Sequence, residues 1–228
     1  CLLYAFLRYF LLGADAGGIV TIGMSYILFR ILHLLLDNSQ NALEIELTLS
    51  DSLAYIFFFP TLLAGPIWRY DEYAASLDSA VAGAPEVDQV FCGVSRVANG
   101  CLKILVATRV CGTVHGRVAE EIILPGRGAV AAVYFALAAI LYLLFFYFDF
   151  SGYMDIAIGV GSLFGFSISE NFNAPFQSAD VIDFWNRWHI TLSKWMQQYL
   201  FIPLVAWLSR RLLGRVKIQY LGAVGYIA

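Results

Sequence analysis

The sequence predicts an all-α protein, a multi-pass transmembrane helical core with short re-entrant and interfacial helices. Composition is the first reason: of 228 residues, 60% are hydrophobic and 14% are charged, whereas soluble domains carry about a quarter charged residues. Too little polar surface remains to clothe a water-soluble globule, so lipid is the expected solvent. Apolar runs approaching the roughly 20 residues of a spanning helix are the second. The third is that polar residues gather in short stretches between those runs. Inside a bilayer the backbone must satisfy its own hydrogen bonds, which helices do within one segment.

Taken in order, Gly17 to Leu36 is apolar except for Arg30 and His33, and Asp37-Asn38-Ser39 closes it. Leu53 to Ile67 is a shorter run ending at Gly65-Pro66. Val90 to Val114 is apolar but interrupted by Arg96, Lys103 and Arg109, whereas Gly128 to Phe148 contains no charge. Ile156 to Ile168 is half a span, glycine-rich, and suits a re-entrant or short tilted helix. Leu200 to Leu213 and Ile218 to Ala228 complete the runs. Three polar stretches read as linkers: Asp37 to Asp51, Trp68 to Gln89 and His115 to Gly128. The basic cluster Arg210, Arg211, Arg215 and Lys217 is expected on the cytoplasmic side by the positive-inside rule.

Neither the composition nor the net charge of -3 favours a nucleic-acid partner. Cys1, Cys92, Cys101 and Cys111 have no metal-ligand spacing and read as small packing residues; no metal is expected. The chain begins at Cys1 and ends at Ala228, both inside apolar runs. The expectation is one membrane domain over 1–228, the interior of a longer protein.

Residues 145 to 203 crowd polar groups beside apolar helices. A charge at membrane depth costs about 2.5–3.5 kcal/mol on insertion scales, so such groups usually face a cavity or a partner. Asp149 and Asp155 sit either at the interface or at a cavity mouth, and the residues leave both readings open. Asp180 to Met196 reads as one interfacial helix with Asp180 as its cap. On it Trp185, His189 and Leu192 share a face, with Phe184, Trp188 and Trp195 adjoining and Arg187 and Lys194 turned away. A single histidine on an aromatic face is more often a packing residue than a catalyst. Gly161 and Gly165 read as a small-residue pair for close helix packing. Arg30 with His33 marks either an ion path or packing, and His115 reads as solvated.

Several strings are specific: Phe148-Asp149-Phe150-Ser151-Gly152-Tyr153; Glu170-Asn171-Phe172-Asn173-Ala174-Pro175-Phe176; and Phe184-Trp185-Asn186-Arg187-Trp188-His189-Ile190-Thr191-Leu192-Ser193. Upstream stand Phe59-Pro60-Thr61 and Ala64-Gly65-Pro66-Ile67-Trp68-Arg69-Tyr70, and downstream Tyr199-Leu200-Phe201-Ile202-Pro203-Leu204. In this order they resemble the membrane-bound O-acyltransferase family, nearest its bacterial alginate O-acetylation branch and next its teichoic acid D-alanyl transfer branch.

That resemblance implies a multi-pass enzyme of the bacterial inner membrane. It would pass an acyl group, acetyl in the first reading, from a cytoplasmic donor to hydroxyls of an extracytoplasmic polysaccharide. It implies no bound cofactor, an acetyl-CoA or acyl-carrier thioester as co-substrate, and a polysaccharide or periplasmic acyl-relay protein as partner. His189 matches the family's Trp-His motif as its catalytic-site histidine, with a positioning role preferred. Asn171, Asn173, Trp185, Arg187, Trp188, Asp149 and Asp155 are the expected substrate-binding residues. The second family histidine has no counterpart after His189, so these 228 residues by themselves are expected to be inactive. A transporter or a non-catalytic scaffold is the rival from another class.

Overall fold

A computed structural model describes residues 16–39, 47–62, 65–123 and 128–212. They form nine α-helices: α1 (Ala16–Ser39), α2 (Leu49–Ile56), α3 (Tyr70–Ala82), α4 (Val87–Leu105), α5 (Thr113–Ile123), α6 (Gly128–Leu163), α7 (Val181–Arg187), α8 (Ile190–Met196) and α9 (Ile202–Leu212). Two π-helical segments, Val106–Gly112 and Gln197–Phe201, join α4 to α5 and α8 to α9. The described chain is all-α, and its β pairing is limited to one isolated bridge. Two compact units are present, Leu77–Ser167 and the described parts of Gly13–Ser76 with Ile168–Ala228.

In the first unit, two helical stretches, Val87–Val118 and Val130–Leu163, are long and apolar enough to cross a membrane. At 1.5 Å per residue, the 36 residues of α6 extend about 54 Å, well beyond a hydrocarbon core of about 30 Å. Val133, Phe135, Ile140 and Phe146 lie exposed along it, as lipid-facing side chains do. The expected half-span at Ile156 to Ile168 is a correction, because α6 runs unbroken through Ile156 to Leu163. Two polar stretches expected as linkers are largely helical instead: α3 occupies most of Trp68 to Gln89, and α5 most of His115 to Gly128.

The packing of α4 on α6 rests on glycines seven residues apart on each helix. Gly93 faces Gly159 and Gly100 faces Gly152 in an antiparallel register. A Cβ on Gly100 would lie 2.5 Å from the Gly152 carbonyl oxygen, and one on Gly159 would lie 2.7 Å from that of Gly93. Removing the side chains lets backbone approach backbone. Asp155 lies between these contacts and pairs with Arg96 at 3.0 Å and Lys103 at 2.6 Å. Of the expected Gly161–Gly165 packing pair, Gly165 does allow a close approach, a Cβ there lying 3.2 Å from Ala80 Cα. Gly165, at φ +81°, terminates α6, with Phe166 N–H donating to Gly161 O and Gly165 N–H to Ser162 O, a C-terminal motif that needs a left-handed residue.

In the second unit, Leu53 to Ile67 is no continuous helix. α2 ends at Ile56, and Pro60 and Pro66 cannot extend it. Arg30, buried in α1, takes up the orphaned carbonyls: Nη1 donates to Tyr55 O at 3.2 Å and Ile56 O at 3.0 Å, and Nη2 to Thr61 O at 2.7 Å and to the Thr61 hydroxyl. That contact makes Arg30 a helix-end cap. Tyr55, Phe58, Trp68 and Tyr73 form an aromatic core around this segment, with ring centroids 5.3–5.6 Å apart in the closest pairs. His33 is fully buried, its Nε2 2.9 Å from the Tyr55 hydroxyl.

Candidate functional site

The expected single helix Asp180 to Met196 is two helices, broken at Trp188 and His189. Asp180 does cap the first, its Oδ1 accepting from Asp183 N–H at 2.8 Å. Trp188 is extended, at φ -105° and ψ 126°, and His189 is left-handed, at φ 47° and ψ 51°. The break is held by an extended segment from elsewhere in the chain: Phe172 and Trp188 form an isolated antiparallel bridge. On its two sides Asn173 N–H donates to Arg187 O and Ile190 N–H donates to Asn171 O, each at 3.0 Å. The Phe172 and Trp188 rings meet edge to face at 5.0 Å. Trp185, His189 and Leu192 therefore do not share a helical face.

Asn171 and Thr191 hold this geometry. The Asn171 Oδ1 accepts from Thr191 N–H at 3.0 Å and from the Thr191 hydroxyl at 2.7 Å, capping α8 from outside the helix. The Thr191 Oγ1 in turn accepts from Ile67 N–H at 3.0 Å. Three separate strings of the sequence thus meet: the Gly65–Tyr70 stretch, the Glu170–Phe176 strap and the Trp-His motif.

Of the expected site residues, the structure brings together Asn171, Asn173, Arg187, Trp188 and His189. Asn171 and Trp188 are buried, and Arg187 pairs with Asp183 at 2.7 Å. Trp185 is more than half exposed. Asp149 and Asp155 belong to the other unit, on α6, where Asp155 is committed to Arg96 and Lys103. Tyr26, Thr191 and Ile67 are not among the expected site residues, although Thr191 and Ile67 lie in the quoted motifs. The Tyr26 hydroxyl reaches to 3.4 Å from His189 Nε2, a contact that no local spacing announces.

Burial lowers the His189 pKa from 6.5 to about 4, so the ring is neutral near pH 7. A base works best with a pKa near the operating pH. A neutral, weakly basic imidazole is better suited to orienting a hydroxyl or carrying a hydrogen bond than to holding a proton. Held in a left-handed backbone, a conformation uncommon for non-glycine residues, it has the constrained placement often found at functional positions.

The membrane-bound O-acyltransferase family model matches residues 2–223. The chain belongs to that family. It is 30% identical over 199 residues to a teichoic acid D-alanyltransferase of Bacillus subtilis, covering 83% of this chain and 47% of that protein. It is 32% identical over 196 residues to a probable alginate O-acetylase of Pseudomonas aeruginosa, covering 82% and 34%. A peptidoglycan O-acetyltransferase of Helicobacter pylori is 32% identical over 154 residues, covering 68% and 28%. The chain spans about half or less of the length of these relatives. The family match covers both units, including the strings that converge at His189.

Proposed function

We propose that the full-length protein is a multi-pass O-acyltransferase of the bacterial inner membrane, moving an acetyl group from a thioester donor onto hydroxyls of an extracytoplasmic polysaccharide. The observation that carries this is His189, set at a helix break by the Asn171–Thr191 contact inside a chain of this family. A sugar hydroxyl is a weak nucleophile near neutral pH, so as its oxygen attacks the thioester carbonyl and the C–S bond breaks, its proton must leave and end on the departing thiolate. In this reading His189 orients the acceptor hydroxyl and hydrogen-bonds it, and Tyr26 steadies the ring. Asn173, Trp185 and Arg187 line the acceptor's approach, while Asp149 and Asp155 sit on a helix that crosses the bilayer. The names of the acetylating relatives support acetyl, and an acetyl-CoA or acyl-carrier thioester is the donor by the same reading. The polymer or a periplasmic acyl-relay protein is the acceptor.

A second reading, D-alanyl transfer to teichoic acid, is favoured by the Bacillus subtilis relative, which covers 83% of the chain. The two are separated by supplying membranes that contain the full-length protein with radiolabelled acetyl-CoA or D-alanyl carrier thioester. Alkali-labile label on the polysaccharide from the acetyl donor supports the first reading, and label on teichoic acid from the D-alanyl donor the second. Absence of polymer-bound ester with every donor and acceptor would overturn both and leave a transporter or scaffold.

A further inference from the structure

A cavity of about 300 Å³ lies in the second unit, walled by α8, the π-helical segment after it, the Ile67–Arg69 stretch and the start of the strap at Ser169 and Glu170. Ile190 and Thr191, the two residues that follow His189, are part of its lining, although His189 itself is not. Its apolar surface comes from Ile67, Ile190 and the rings of Trp195 and Tyr199. That size is at the low end for small-molecule sites, which are mostly apolar with a few placed polar groups.

The charges of this lining cancel, with Glu72 and Glu170 set against Arg69 and Lys194. Arg69 is committed to the wall: it donates from Nε to Asp71 at 3.0 Å and from Nη1 to Gln198 at 2.7 Å, and its Nη2 is 3.9 Å from Asp37. Lys194 is then outnumbered by two carboxylates, so an anionic ligand gains no net attraction. What the lining does offer is hydrogen-bonding groups of both kinds. Glu72 accepts from the Ser169 hydroxyl at 2.8 Å, and a carboxylate has about four acceptor sites. Gln198 uses its oxygen on Arg69, which leaves its amide hydrogens as donors. Lys194 makes no ion pair among the described residues and adds ammonium donors. Glu72, Lys194 and Gln198 are all exposed, so this mixed set is open to a ligand.

A hydroxyl both donates and accepts, so a ligand rich in hydroxyls matches such a set without carrying charge. A sugar ring adds C–H groups on its faces, which pack against aromatic side chains. We propose that this cavity seats one neutral hexose unit of the acceptor polysaccharide beside the Trp-His motif. Its hydroxyls meet Glu72, Lys194 and Gln198, and its C–H face lies against the wall made by Trp195 and Tyr199. A uronate unit is disfavoured, because its carboxylate would enter beside Glu72 and Glu170. The inference rests on the acyl-transfer reading and narrows its acceptor to a neutral sugar.

The test titrates full-length protein, held in a detergent without a sugar headgroup, with β-linked tetrasaccharides followed by ligand-observed NMR. The probes are neutral cellotetraose, anionic tetramannuronate and the amine-bearing chitosan tetramer. Saturable binding of cellotetraose is expected. Tetramannuronate should bind about tenfold more weakly, since like charges at contact distance repel, and the amine-bearing tetramer no more tightly than cellotetraose. Glu72→Ala should weaken cellotetraose about tenfold, the scale of one hydrogen bond to a charged group. Glu86→Ala, an exposed site in the first unit, should leave it unchanged. Failure of cellotetraose to saturate overturns the proposal. So does uronate binding as tight as that of the neutral sugar, or tighter binding of the amine, comparisons that need no variant to fold. Unchanged affinity in Glu72→Ala overturns it as well. Acetyl transfer by the same preparation is measured alongside: transfer without cellotetraose binding removes this cavity's role and leaves the acyl-transfer reading standing.

Discussion

The Asn171 side-chain oxygen accepts both the backbone N–H and the hydroxyl of Thr191, at 3.0 and 2.7 Å, and so caps α8 at the residue after its start. Removing it takes away a helix cap, worth about 1 kcal/mol, and leaves buried donors unmatched at about 1–3 kcal/mol. Asn171→Ala should therefore cost about 3 kcal/mol and lower the thermal midpoint in detergent. Thr191→Val keeps the shape but loses the link to Ile67 N–H, and should cost less than Asn171→Ala. Unchanged melting of Asn171→Ala would show that this contact does not hold the break.

His189 occupies a left-handed backbone that β-branched residues adopt poorly. His189→Asn, which tolerates that conformation, should melt close to the parent. His189→Val should melt lower, by about 1–2 kcal/mol of left-handed backbone cost. Circular dichroism melts of the two variants side by side decide this, and equal midpoints would count against the geometry.

The neutral state of His189 gives a pH dependence with a definite sign. Its pKa is about 6.5 unfolded and about 4 folded, so between these values the unfolded state binds more protons. The contribution is fully present above pH 6.5 and is lost as pH falls toward 4. Melts taken from pH 7.5 to 4 should fall less steeply for His189→Gln than for the parent. Parallel curves would show that the ring does not titrate as burial requires.

The α4–α6 crossing leaves no room for a methyl group. Gly100→Ala would bring Cβ to 2.5 Å from a backbone carbonyl, which cannot rotate away, and overpacking of this kind costs about 1–3 kcal/mol. Gly116, inside α5 with nothing within 4 Å of an added Cβ, provides the contrast. Gly116→Ala should stabilise by about 0.5–1 kcal/mol. Thermal midpoints moving the same way for both would contradict the crossing.

Much of the fold was legible because its signals are local. Gly128 to Phe148 declares a helix by length and lack of charge, and Asp180 declares a cap by its position before Val181. The break at His189 is different, since the 180–196 pattern is compatible with one helix. What interrupts it is the Phe172 strap, remote in sequence, and Asn171, whose capping oxygen serves a helix it does not belong to. α3 and α5 read as linkers because acidic residues and turn-forming Gly-Pro or Pro-Gly pairs fall in or beside them, although their spacing permits helices. The seven-residue glycine spacing is visible in the sequence, but only the crossing partner shows which glycines matter. The family motifs located His189 and Asn171, while the approach of Tyr26 to His189 depends on tertiary structure alone.

The central claim is that His189 serves acyl transfer by positioning rather than as the main proton acceptor. The direct measurement is the pH profile of kcat/KM for ester formation by the full-length protein, parent against His189→Asn, with folding checked by melting. The expected result is a fall of about a hundredfold, the scale of loss from misplaced reactants, with the profile keeping its shape. Undiminished transfer, or loss of an inflection near neutral pH in the variant, would contradict it.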